Sequence, residues 1–221
     1  ALLNHLNINT KKYPLDLKPW RKVLNKIKSQ RGIVKIGVVG KYTNLKDSYK
    51  SLNEALMHGG ISNKVKVVIK WINAEKLKSR KIIQELKEVD GILIPGGFGY
   101  RGVEGKINAI KFARENKVPF FGICLGMQLA VIEIARNVLK IKDANSTEFK
   151  VTKNPVIGLM TEWLNKNKLE KRDINSDKGG TMRLGSYKAK LTKGSKLEKI
   201  YSKSLINERH RHRYEVNTNY F

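Results

Sequence analysis

One cysteine, Cys124, lies in Gly122-Ile123-Cys124-Leu125-Gly126, a G-x-C-x-G pattern after a β-rich run and before residues with helical spacing. Strand, sharp turn, helix, with a nucleophilic side chain at the apex, is the nucleophile-elbow arrangement with Cys in place of Ser. The glycines clear space on either side of a strained turn, and the turn lifts the side chain above the sheet edge. The following helix points its N-terminus at the sulfur, where partial positive charge favours a thiolate. The backbone N–H of Leu125 is placed to help bind an oxyanion. The chemistry this spacing serves is thiolate attack on a carbonyl carbon. The alternative is a small buried hydrophobe, the usual fate of a lone cysteine. A second glycine-rich turn, Pro95-Gly96-Gly97-Phe98-Gly99, follows the neighbouring hydrophobic strand and should lie beside Cys124. Its exposed N–H groups could face a developing anion, although such a turn alone reads equally as an ordinary strand-to-helix loop.

Those turns need a scaffold, and the pattern supplies one. Residues 33–39 are a β-rich run ending at Gly40. Residues 47–58 carry Tyr49, Leu52, Ala55 and Leu56 at helical spacing, with Gly59-Gly60 as the expected stop. A strand over 65–72, a helix over 74–88, a strand over 90–94, a helix over 103–116, a strand over 118–123 and a helix over 126–139 follow. Alternation of this kind predicts an α/β, doubly wound, mostly parallel sheet with helices on both faces and right-handed crossovers. Sites in such sheets sit at the carboxyl ends of the strands. The unusual loops Gly40-Lys41-Tyr42, 95–99 and 122–126 fall there. Residues 140–180 read as loop-rich, with 165–180 a mobile loop. Residues 181–191 and 206–216 read as extended segments that pair as an antiparallel C-terminal extension. Residues 1–31, polar and basic with a helical candidate over 20–28, read as a linker or arm, leaving 32–221 as the domain.

The chain has 221 residues, enough for one domain with a real core, and its 40% hydrophobic and 29% charged content fits a folded protein. A single cysteine excludes an internal disulfide framework, and with four histidines it leaves little material for a metal site. No apolar run approaches the roughly 20 residues that span a membrane. The first residues, Ala1-Leu2-Leu3, lack an initiator Met and a secretory apolar region, so a processed end and a cytoplasmic location are expected. The net charge of +26, from 45 Lys+Arg against 19 Asp+Glu, invites a nucleic-acid reading. The charge is spread throughout, however: eight basic residues and one acid in 1–31, fifteen and six in 165–221, twenty-two and twelve between. Lysines outnumber arginines 34 to 11, whereas base and phosphate readout favour arginine forks. Frequent Lys, Ile and Asn fit codon bias better than a specific nucleic-acid or membrane partner.

Gly122-Ile123-Cys124-Leu125-Gly126-Met127-Gln128 with the Pro-Gly-Gly loop resembles the class I (triad) glutamine amidotransferases. Gly40-Lys41-Tyr42, the run from Pro95 to Gly105, Ala144-Asn145-Ser146-Thr147-Glu148-Phe149, the run from Gly179 to Gly185 and the run from Glu208 to Asn217 resemble the CTP synthase family within that class. The resemblance covers nearly the whole chain, in order, and is weakest over 1–31. It implies hydrolysis of L-glutamine and passage of ammonia to a separate synthetase domain, where UTP, activated by ATP and Mg²⁺, becomes CTP. No cofactor or metal is implied for this domain itself. Cys124 matches the nucleophile, and Gly97 and Leu125 match the oxyanion donors. Gln128, Glu148 and Arg213 match glutamine-recognition positions. A carboxylate suits the α-ammonium of glutamine and a guanidinium fork its α-carboxylate. Arg101 and Arg183 match the region through which GTP activates the family.

One departure stands out. The family's triad histidine and carboxylate lie in a His-Pro-Glu segment, and the 221 residues contain none. His210 and His212 match other positions, and their alternation with arginine suggests a strand. His58, at a predicted helix end, reads as structural. The expectation is an incomplete amidotransferase region, inactive in isolation, with an opened sheet edge and a tendency to aggregate. Two other readings remain: a non-catalytic remnant with a binding or regulatory role, and a basic nucleic-acid-binding module.

Overall fold

The computed structural model describes residues 5–8, 16–41, 46–77, 79–159, 162–165, 168–171 and 182–220. Four strands form the central sheet: β1 (Ile33–Gly40), β2 (Lys66–Asn73), β3 (Gly91–Ile94) and β4 (Phe120–Gly122). They are all parallel, in the order β2-β1-β3-β4. The chain leaves β1 in one direction and returns across it to β3, so successive helices cover opposite faces. The helices are α1 (Lys18–Lys28), α2 (Lys50–Ser62), α3 (Ser79–Leu86), α4 (Val103–Glu115), α5 (Leu125–Asn137) and α6 (Lys196–Tyr201). Val39, Ile72, Ile92 and Ile94 from the sheet pack with Ile107, Ile110, Leu125, Leu129 and Ile132 from α4 and α5. Among the described residues no helix is long and apolar enough to cross a membrane.

Several boundaries differ from the sequence reading. Gly59 and Gly60 do not stop α2, which continues to Ser62. A Cβ on Gly60 would lie 2.7 Å from Val65 O, so this glycine serves close packing of α2 on the approach to β2, while Gly59 has open space around it. The helix expected over 74–88 is broken. A 3-10 turn (Ala74–Lys76), started by Glu75 N–H donating to Asn73 Oδ1 at 2.9 Å, ends when Leu77 adopts ψ 77°, and α3 begins only at Ser79. Gly105 on α4 packs against this turn: its Cα surface lies directly against Ala74 O and leaves no room for a Cβ. β4 is shorter than 118–123.

The region read as loop-rich holds β5 (Asn145–Ser146), β6 (Pro155–Leu159), β7 (Glu162–Asn165) and β8 (Lys168–Lys171). Most of 165–180 lies outside the described residues. The antiparallel extension is present: β9 (Arg183–Lys190) pairs with β10 (Leu205–His212). The second segment is not continuous, however. β11 (Tyr214–Val216) leaves β10 and pairs antiparallel with β6, which in turn pairs with β5. In the 1–31 arm, α1 buries no residue, and Trp20, Val23, Leu24 and Ile27 form an exposed apolar stripe. The arm meets the sheet where Arg31 N–H donates to Lys64 O at 2.6 Å and Gln30 Nε2 to Val65 O at 2.9 Å.

Candidate active site

The G-x-C-x-G stretch forms the expected elbow. Cys124 sits between β4 and α5 with φ 51° and ψ −105°, a left-handed conformation that a non-glycine residue holds only when its surroundings fix it. Ile123 N–H donates to Ile94 O at 3.0 Å, and Gly126 N–H to Ile123 O at 2.9 Å. A Cβ on Gly122 would lie 2.5 Å from Gly126 C, and one on Gly126 would collide with Ile94 O. The two glycines therefore let the turn close on itself and on β3, and that closure keeps Cys124 in its strained conformation.

The loop after β3 runs alongside. A Cβ on Gly96 would touch the Cβ of Cys124 at 3.4 Å. The backbone N–H groups of Leu125 and Gly97 lie close enough to the Cys124 sulfur to favour its thiolate. Glu148, in the turn after β5, accepts a hydrogen bond from Gly99 N–H at 2.6 Å, and its own N–H donates to Ser146 Oγ at 3.1 Å. Lys41, directly after β1, donates from Nζ to Phe98 O and, at 3.2 Å, to Gly99 O. Gln128, one turn into α5, is buried, and its Nε2 donates to Tyr214 O at 2.7 Å. A pocket of about 540 Å³ opens over the elbow, lined by Cys124, Met127, Gln128, His210, His212 and Tyr214 among others.

The remaining predicted residues lie around this centre. Arg213 sits between two pocket-lining residues, and its buried Nε has no hydrogen-bond partner among the described residues. Arg101 Nε pairs with Glu75 Oε1 at 3.1 Å. Arg183 pairs with Glu215 at 2.7 Å and stacks over the Tyr187 ring at 4.3 Å. His210 Nδ1 lies 3.0 Å from Glu208 O, and its ring meets Tyr187 edge-on. His212 Nε2 is 3.7 Å from Glu215 Oε1. Neither imidazole bonds to the sulfur, whose hydrogen-bond acceptor among the described residues is Arg211 O at 3.9 Å. His58 is exposed within α2 rather than at its end.

The electrostatics correct one expectation. The helix N-terminus does not leave Cys124 with a depressed pKa. Burial pushes the thiol up, the Leu125 N–H opposes that, the Glu148 carboxylate adds to it, and the Gly97 N–H opposes it again. In this arrangement two N–H donors are outweighed by desolvation and a nearby negative charge. Burial also lowers His212. Lys41 is lowered by burial and by the Arg101 charge, with Glu148 and Glu75 opposing. Two groups drew no role from the sequence. Lys41 was visible only as part of a strand-end loop. Lys106, fully buried on α4, has its pKa lowered to about 8 by burial and by the Lys41 charge. Its position among Val103, Ile107 and Ile110 on an apolar face was the available signal.

Residues 44–220 match the family described as glutamine amidotransferase class-I. CTP synthase of Rhizobium leguminosarum bv. trifolii (strain WSM2304) is 59% identical over 204 residues, 92% of this chain and 38% of that protein. CTP synthase of Brucella anthropi is 61% identical over 201 residues, 91% of this chain and 37% of that protein. The chain thus spans between a third and two-fifths of the length of these relatives. The glutaminase domain of Trypanosoma brucei CTPS, solved with bound acivicin, is similar with a TM-score of 0.73 and 41% identity, over 85% of this chain and 70% of that one. The chain belongs to the class-I glutamine amidotransferases, in the group formed by the glutaminase domains of CTP synthases.

Proposed function

We propose that this chain is the glutamine-hydrolysing part of a CTP-forming ligase, with Cys124 as nucleophile. The observation that carries the reading is the strained elbow that sets Cys124 at the start of α5 with the Gly96-Gly97 loop packed against it, which brings the Gly97 and Leu125 N–H groups near the sulfur. Donors that meet at the sulfur also reach the oxygen of a carbonyl whose carbon that sulfur attacks. The thiolate adds to the glutamine carboxamide carbon and the C=O pair moves onto oxygen between the two N–H groups. When the oxyanion collapses, the C–N bond breaks and the amide nitrogen takes a proton to leave as ammonia. Water then adds to the glutamyl thioester, and glutamate and the thiol are released. Glu148 holds the α-ammonium with the oxygen that Gly99 does not use, Arg213 meets the α-carboxylate, and Gln128 fixes the pocket wall through Tyr214. Ammonia passes to a synthetase domain, where UTP activated by ATP and Mg²⁺ is aminated. Arg101 and Arg183 lie in the region that answers GTP, and each pairs with a carboxylate, Glu75 and Glu215 respectively.

The proton acceptor for Cys124 and the donor for ammonia are a histidine–carboxylate pair, which the described residues do not place at the sulfur. Burial keeps the thiol protonated, so the chain on its own is inactive as a glutaminase, with or without GTP. A chloroketone analogue of glutamine tests binding without turnover: the sulfur displaces chloride from the carbon beside the carbonyl. Labelling at Cys124 should outpace labelling by iodoacetamide and be blocked by L-glutamine or acivicin but not by D-glutamine. Labelling that ignores L-glutamine would overturn the reading. The raised thiol pKa also favours a second reading, a binding or regulatory remnant, which a Cys124→Ala variant that keeps every cellular role would support.

A further inference from the structure

We propose that Lys41 is a positioning residue: with Glu148 it clamps the Phe98–Gly99 peptide and thereby fixes the Gly97 N–H on the reacting centre. The inference rests on the glutamine-hydrolysing reading. Its geometry is independent of it.

The clamp holds the two ends of one peptide group. The carbonyl oxygen of Phe98 accepts from Lys41 Nζ, and the N–H of Gly99, in the same peptide plane, donates to Glu148 Oε1 at 2.6 Å. A cation thus takes the negative end of that dipole and an anion takes the positive end. Rotating the plane by half a turn would face each charge with the wrong pole. The segment needs such restraint, because Gly96 and Gly97 lack side chains and Gly99 sits at φ 74°, so the intrinsic cost of a flip is small. Gly97 N–H lies in the second peptide before the clamped one, so pinning the Phe98–Gly99 plane fixes the far end of the glycine-rich turn that carries it.

Both jaws are themselves anchored. Lys41 follows β1, its N–H donates to Tyr49 Oη at 3.3 Å, and β1 is the strand next to β3, from which the loop leaves. Glu148 is held by Ser146 Oγ. The charges that face Lys41 are Glu148 and Glu75, which sustain its ammonium, and Arg101, which with burial opposes it; Lys106, on α4, is close enough to feel its charge.

The single cysteine gives a clean readout. With the chloroketone analogue, Lys41→Met should lower the maximal inactivation rate about 10- to 100-fold, the scale of a misplaced reacting group or a lost oxyanion donor. The half-saturating concentration should stay unchanged, because glutamine recognition does not use Lys41. Lys41→Arg should restore the rate, and Lys188→Met on exposed β9 should match the unmodified chain. A folded Lys41→Met with an unchanged maximal rate, or with a defect in half-saturation alone, overturns the proposal. Hydrogen exchange supplies a second measurement: amides of 97–99 should exchange faster in Lys41→Met, and equal exchange also overturns it. Should Lys41→Met fail to fold, Lys41→Gln, which keeps one donor, is read by the same two measurements. If the analogue does not label the unmodified chain, the glutamine reading falls, while exchange at 97–99 still decides the clamp.

Discussion

The side-chain amide of Gln128 donates to the backbone carbonyl of Tyr214 across 2.7 Å, joining the helix behind the nucleophile to a strand 86 residues further on. Gln128 is thus less a free recognition group than a latch. It fixes the pocket wall opposite Cys124 and satisfies a carbonyl at the start of β11. Gln128→Met keeps the volume and removes the donor, so the Tyr214 carbonyl loses this hydrogen bond. Urea unfolding should show a loss of about 1–3 kcal/mol. The same variant should bind the chloroketone analogue more weakly.

The glycines of this chain should respond to alanine in opposite senses. Gly126→Ala drives a Cβ into Ile94 O, and Gly122→Ala drives one into the first turn of α5. Both contacts are with backbone, which cannot step aside. Each should cost about 3 kcal/mol or more, seen as a lost or strongly lowered thermal transition. Gly59→Ala, inside α2 with nothing within 4 Å, should raise stability by about 0.5–1 kcal/mol.

Cys124 should react slowly at neutral pH. Its folded pKa is raised, so the thiolate fraction climbs only above the ordinary thiol range, and the iodoacetamide rate should follow. Glu148→Gln removes the nearby negative charge that contributes to the rise while leaving an oxygen acceptor for Gly99. It should shift the alkylation profile to lower pH. A profile that does not move, or moves upward, would refute this account of the thiol.

Lys106 ties stability to pH. Its folded pKa of about 8 lies below the ordinary lysine value of 10.5, so the unfolded chain binds more protons between those limits and stability rises with pH across them. The contribution is complete above the unfolded value and is lost as pH falls through about 8. Lys106→Met should therefore stabilise the protein at pH 7 by on the order of 3 kcal/mol, and by less near pH 10. Urea midpoints of both proteins at the two pH values give the comparison.

Much of this site could be read from the sequence because its parts are local. G-x-C-x-G encodes a strand, an elbow and a helix within a few residues, and the Pro-Gly-Gly loop follows the adjacent strand in the same way. The charges at the centre were harder, because they arrive from elsewhere. Lys41 meets Phe98 across 57 residues, and Gly99 meets Glu148 across 49. Nothing local marks Lys41 as a jaw or Lys106 as buried. The Gly59-Gly60 pair misled for the same reason: a helix stop and a close approach to Val65 look alike until β2 is in place. β11 parts from β10 because its partner is β6, a choice made by tertiary pairing rather than by strand propensity.

The wall over the nucleophile has a consequence for biosynthesis. Arg211, whose carbonyl faces the sulfur, follows Cys124 by 87 residues. At about 5–20 residues per second, translation reaches Arg211 roughly 4–17 s after it passes the cysteine. The sheet and the elbow are encoded entirely before that point. A nascent chain therefore carries the thiol for seconds before the segment that faces it has been made.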